Sequence, residues 1–118
     1  MKKIVGLGEK LTAIKGQPFT KVVQDGESDK PRLMTPTFGD FLFELALDEK
    51  KGESDTGKKK RKFKLAQKIA NAATEVELDD AEIELLKEAA GYEGRNLQFT
   101  YRIEEVLDAG GIQKASEQ

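Results

Sequence analysis

Neither histidine nor cysteine occurs among the 118 residues of this chain. The first absence removes the side chain whose charge changes near neutral pH. The second removes the strongest thiolate nucleophile, and the two together remove the usual ligands of zinc, copper and haem. Serine is almost as scarce: Ser28, Ser54 and Ser116 all fall in polar segments, and none lies in the Gly-x-Ser-x-Gly context of a hydrolase nucleophile. No apolar run is long enough to span a bilayer, because Phe41-Leu42-Phe43 and Leu45-Ala46-Leu47 are separated by Glu44 and closed by Asp48. Met1-Lys2-Lys3 resembles the start of a secretion signal, but Gly6, Gly8, Glu9 and Lys10 stand where its apolar segment would be. These absences turn the reading away from enzymes, cofactors and membranes and towards a protein that works by binding inside the cell or in a particle assembled there.

What is present is a globular balance, 37% hydrophobic against 36% charged, in a chain long enough for one domain with a modest core. The small net charge of −2 conceals a strong asymmetry. Residues 1–57 are nearly neutral, residues 58–64 carry six cations and no anion, and residues 65–118 carry five cations against twelve anions. Lys58, Lys59, Lys60, Arg61, Lys62 and Lys64 therefore form a basic knot before an acidic region. Two readings of the knot differ in kind. It solvates a link and is attracted at long range to the acidic half, or it contacts nucleic acid or an acidic partner. Only one aromatic, Phe63, lies within it, which supplies a few phosphate contacts and no surface for reading bases.

The expected fold is mainly α, a small domain of about four helices with an N-terminal β-hairpin or extended arm over residues 1–34. Leu11 to Ile14, a Gly16-Gln17-Pro18 turn and Phe19 to Val23 read as two short extended segments, and residues 24–32 as a polar loop. Thr37 caps a helix over 37–48 with Asp40 at the third position, and Phe38, Phe41, Leu42 and Leu45 line one buried face. Phe43 and Leu47 widen that stripe beyond the need of one neighbour, so that the helix is central to the core or part of it meets another chain. A polar loop follows over 48–59, then a helix over 60–73 with Phe63, Ala66, Ile69, Ala70 and Ala73 as its apolar residues. Cations at that helix start oppose the macrodipole, so helix stability does not account for them. Asp79 with Glu82 forms a capping box for a helix over 80–90, with Leu78 and Ile83 as a hydrophobic staple and Gly91 just past its end. Asn96 caps a last helix over 96–109, closed by Gly110-Gly111, and residues 112–118 read as a tail.

Three patterns invite a site and are weighed against simpler explanations. The acidic cluster from Glu75 to Glu84 has no calcium-loop spacing, and a helix N-terminus already calls for Asp79, Asp80 and Glu82. Gly6-Leu7-Gly8 lacks the third glycine of a dinucleotide fingerprint. Gly52 to Lys58 has Lys59 where a phosphate loop needs serine or threonine, and it follows a helix where the motif requires a strand. No metal or cofactor is expected. Aromatic residues are assigned to the core by default, with Tyr92, in a short loop between Gly91 and Gly94, set apart as a contact for a partner.

The order of the segments resembles a loose class of small proteins encoded by tailed bacteriophages and prophages. The resemblance runs over residues 11–108. It rests on Leu11 to Pro18, on Thr37-Phe38-Gly39-Asp40 with Leu45-Ala46-Leu47, and on Leu65-Ala66-Gln67-Lys68-Ile69. It continues in Val76-Glu77-Leu78 with Glu82-Ile83-Glu84-Leu85-Leu86-Lys87 and in Val106-Leu107. It implies a phage setting, host cytoplasm or virion, and carries no catalytic or binding residue to any position. The expected function is a non-enzymatic phage protein acting through protein–protein contacts or self-association at Phe43, Leu47 and Tyr92, as a virion component, assembly factor or host-interaction factor. The alternative is a nucleic-acid-associated or regulatory factor using the basic run 58–64.

Overall fold

Capping chemistry sets the helices. The Thr37 side chain accepts from the Asp40 amide at 3.1 Å while the Asp40 carboxylate accepts from the Thr37 amide at 3.1 Å, closing a capping box at the start of α1 (Phe38–Leu47). In this computed structural model, which describes residues 1–12, 16–24, 31–34, 36–48, 56–92 and 96–112, three more helices follow. They are α2 (Thr56–Asn71), α3 (Asp80–Ala90) and α4 (Leu97–Asp108). The mainly α fold with an N-terminal β component is the one the sequence implied.

Asp79 and Glu82 form the second capping box, at 2.7 and 3.0 Å, and Asn96 accepts from the Gln98 amide at 2.8 Å to cap α4. Asp79→Ala is expected to lose about 0.5–2 kcal/mol of stability in urea unfolding, with no change in melting temperature on adding millimolar magnesium to either form. An upward shift with the ion would expose a metal site in the acidic cluster. Gly91 closes α3 at φ −94°, outside the left-handed region, with its amide shared between the Lys87 and Glu88 carbonyls.

The β structure departs from expectation in its pairing. Strand β1 (Lys2–Val5) pairs antiparallel with β4 (Glu75–Leu78), a segment far away in sequence, with Lys3 opposite Glu77 and Ile4 opposite Val76. The local hairpin joins β2 (Lys21–Gln24) to β3 (Pro31–Met34), and of the expected Leu11–Val23 hairpin the described residues form one bridge, between Thr12 and Pro18. Residues 31 and 32, read as loop, belong to β3, with Pro31 at the strand's first position, where its missing N–H is tolerated. The turn after residue 108 joins the same region: Val5 pairs in parallel with Gly111, placing β1 between β4 and residues 110–112.

Ile4, Leu7 and Leu11 are buried with Leu42, Leu45, Leu65, Leu86, Ile103 and Leu107. The N-terminal segment therefore completes the core and is not a free arm. Phe19, Phe41 and Phe99 close one end in edge-to-face contacts with centroids 5.3–6.4 Å apart. Lys87 and Asp108 tie α3 to α4; the bond to the carboxylate holds the Lys87 ammonium above its usual range and Asp108 below its own. Of the expected 112–118 tail, Ile112 is corrected, because its amide donates to the Val5 carbonyl and its side chain packs against the core; positions 113–118 lie outside the described residues, as do positions 49–55 of the expected loop.

Candidate functional site

Helix α2 begins at Thr56, four residues before its expected start, so the whole basic run is helical. The apolar face also differs. Lys62, Leu65, Ala66 and Ile69 are turned inward, while Phe63, Ala70 and Ala73 are exposed. A step of one residue rotates a helical side chain by about 100°, and the stripe that buries both Leu65 and Ile69 cannot also bury Phe63. Phe63 is 57% exposed, and the assignment of this ring and of Tyr101 to the core is corrected.

Helical periodicity splits the six cations into two sets. Lys58 forms an ion pair with Glu88 of α3 at 2.6 Å. Lys62 is only 4% exposed; its ammonium donates to the Asp48 carbonyl at 3.0 Å and to the Tyr92 hydroxyl at 2.7 Å, and lies 5.1 Å from the centre of the Tyr92 ring. The pair with Glu88 offsets the unfavourable position of Lys58 in the first turn of α2, and the contacts of Lys62 tie the end of α1, α2 and the residue after α3 together. Lys59, Lys60, Arg61 and Lys64 are exposed, and no ion pair among the described residues involves them. The basic run is thus part internal clamp and part outer surface.

Tyr92 belongs to the clamp. Its ring is partly buried against the core and its hydroxyl is engaged by Lys62, which gives this side chain a role within the fold. Phe43 and Leu47 are 36% and 47% exposed although the core is closed without them, which leaves both accessible on the surface of α1. Phe43 borders a shallow groove of about 330 Å³ with Gly39, Asp40, Ile69 and Ala70. The Asp48 carbonyl at the other end of α1 meets Lys62, so α1 and α2 run antiparallel side by side. Periodicity places Ala70, Phe63 and Lys59 on one stripe of α2, contiguous through Ala70 with the groove that Phe43 borders. The outer face of α1 and α2 consequently carries three large apolar side chains, Phe43, Leu47 and Phe63, rimmed by Lys59, Lys60 and Lys64.

The chemistry available on this face is that of contact. The groove's carboxylate, Asp40, is occupied in the Thr37 capping box. Among the described residues no three potential ligands gather as a metal site, and no helix is long and apolar enough to cross a membrane. Compared with models of protein families, with curated proteins and with solved structures, the chain matches none.

Proposed function

We propose that this protein is a non-enzymatic binding module that docks onto protein through the outer face of α1 and α2, in the bacteriophage setting that the order of its segments implies. There it would serve as a virion component, assembly factor or host-interaction factor. One observation carries the reading: Phe43, Leu47 and Phe63 stay in water on one face while a continuous core is completed elsewhere. Scattered exposed apolar residues are ordinary, but a cluster with a polar rim is the anatomy of an interaction site. The exposed cations around Phe63 add steering towards an acidic surface.

The nucleic-acid reading draws on the same cations, of which four face outward. Photocrosslinking separates the two. A photoreactive phenylalanine analogue in place of Phe43, in the protein expressed in its host, is expected to give adducts that protease removes and nuclease does not. The same analogue at Asp80, exposed on α3, is expected to give none. Adducts that nuclease alone returns to the mass of the single chain would replace the protein-docking reading with the nucleic-acid one.

A further inference from the structure

A second surface on this molecule has the same spacing as the first and the opposite charge. On α4 the buried residues are Phe99, Ile103, Val106 and Leu107, which leaves Leu97, Tyr101, Glu104 and Glu105 on the outward stripe. Leu97 and Tyr101 are 68% and 62% exposed, the largest apolar side chains in water on that side. Glu105 is held by Arg102 one turn away on its own helix, an exposed pair of little energetic weight.

Set antiparallel, the stripes of α2 and α4 match position for position. With Phe63 against Tyr101, one turn in one direction brings Lys60 beside Glu105 on one flank and Lys59 beside Glu104 on the other. One turn the other way brings Gln67 to Leu97. The register is fixed by sequence: the steps 59, 60, 63, 67 repeat the steps 105, 104, 101, 97. Aromatic meets aromatic, and each lysine meets a glutamate, as in an antiparallel helix pair whose flanking charges select orientation. Within one molecule this pairing is not made. α2 packs mainly on α1, and α4 packs mainly on α3.

We infer that the partner of the α2 face is the α4 face of a second copy of this chain, so that copies associate head to tail through an antiparallel α2–α4 contact. The inference rests on the protein-docking reading and supplies its occupant. Charge complementarity favours the second copy over nucleic acid. The outward cations cover a little over one turn of α2, whereas carboxylates at the matching spacing stand on the same chain. Such an interface is heterologous: each copy keeps one unused face, so association continues into a ring or a chain. Three turns of helix bury less than the roughly 1,200 Å² of a stable complex, so each contact is weak. Phe43 and Leu47, on the helix beside α2, widen it.

Sedimentation velocity on the purified full chain tests this. The average mass is expected to rise with protein concentration and to fall back as salt is raised from low to molar strength. Phe63→Ser and Tyr101→Ser each remove an exposed ring, leave the melting temperature in place, and are expected to give monomers. Mixed together they are expected to form a 1:1 pair that grows no further, because one chain retains the α2 face and the other the α4 face. Lys60→Glu and Glu105→Lys are each expected to weaken association about tenfold or more, and the two in one chain to restore it. A wild-type chain that stays monomeric at every concentration overturns the inference. So does a mixture that fails to pair, or association that survives Tyr101→Ser. Binding of a single-stranded oligonucleotide that depends on Lys60, with no self-association, also overturns it. If the wild type is monomeric while protein adducts still form from position 43, the self-docking inference fails and the docking reading stands; loss of those adducts removes the reading itself.

Discussion

Gly111→Ala is expected to destabilise the fold by about 3 kcal/mol or more and to lower the melting temperature by about 10–20 °C. Gly111 has φ +106°, a conformation that a side chain strains, but strain is the smaller part. A Cβ at this position would lie 2.0 Å from the Val5 carbonyl oxygen and 2.6 Å from the Val5 nitrogen. Backbone cannot turn aside as a flexible side chain does. The segment is also pinned on both sides: the Val5 amide donates to the Gly110 carbonyl at 2.9 Å, the Ile112 amide to the Val5 carbonyl at 3.0 Å, and the Gly111 amide to the Val106 carbonyl at 2.8 Å. Making room for a methyl group means breaking this clasp between β1 and the end of α4. β1 holds Ile4 in the core, so the loss reaches beyond the substituted residue. Gly8→Ala is the control, because nothing lies within 4 Å of a Cβ there. Thermal unfolding of the two variants should separate them by most of the predicted shift; equal melting temperatures would show that the clasp contributes little.

That clasp marks the boundary of what the sequence reveals. The helix starts at Thr37, Asp79 and Asn96 were legible because a cap is a contact within three residues, so the whole interaction is written in a short window. The pairing of β1 with β4 was not. Glu75-Val76-Glu77-Leu78 alternates polar and apolar residues over only four positions, directly before a strong helix start, and its partner lies at the other end of the domain. The turn signal at Gly16-Gln17-Pro18 is real chemistry, yet the hairpin closes further along, where β2 and β3 pair more extensively than the single Thr12–Pro18 bridge.

The exposed apolar face of α1 and α2 was half legible for a related reason. The excess of apolar residues on α1 exceeded what one packing face can absorb, and that surplus identified Phe43 and Leu47. On α2 the same reasoning preferred the larger Phe63 to a lysine as a buried residue. What reversed the choice is tertiary: a carbonyl at the end of α1 and a hydroxyl after α3 converge on position 62 and make an ammonium acceptable there. No property of residues 58–64 taken alone contains that information. The α4 stripe went unnoticed because Tyr101 was counted with the core aromatics.

Lys62→Ala is expected to cost about 2–3 kcal/mol in urea unfolding, while Lys60→Ala and Lys64→Ala change stability by no more than about 0.5 kcal/mol. All three remove one positive charge from the same helix, so net charge and long-range attraction to the acidic half change alike. The difference lies in what each ammonium touches. Lys62 donates to the Asp48 carbonyl and the Tyr92 hydroxyl, and alanine would leave both acceptors facing a space vacated by the ammonium and its four-carbon stem. Lys60 and Lys64 stand in water. Lys62→Met divides the loss, since it keeps most of the apolar stem and also removes the cost of burying a charge; it is expected to fall between Lys62→Ala and the wild type. The same partition should appear in association. On the proposed association, substitutions at Lys59, Lys60 and Lys64 are expected to flatten the salt dependence of binding at the α2 face, where those cations would meet the partner directly. Lys62→Met leaves that salt dependence as it is. If Lys62→Ala proved as stable as Lys60→Ala, the clamp would be an ornament of the surface, and the basic run would act as a single undivided patch.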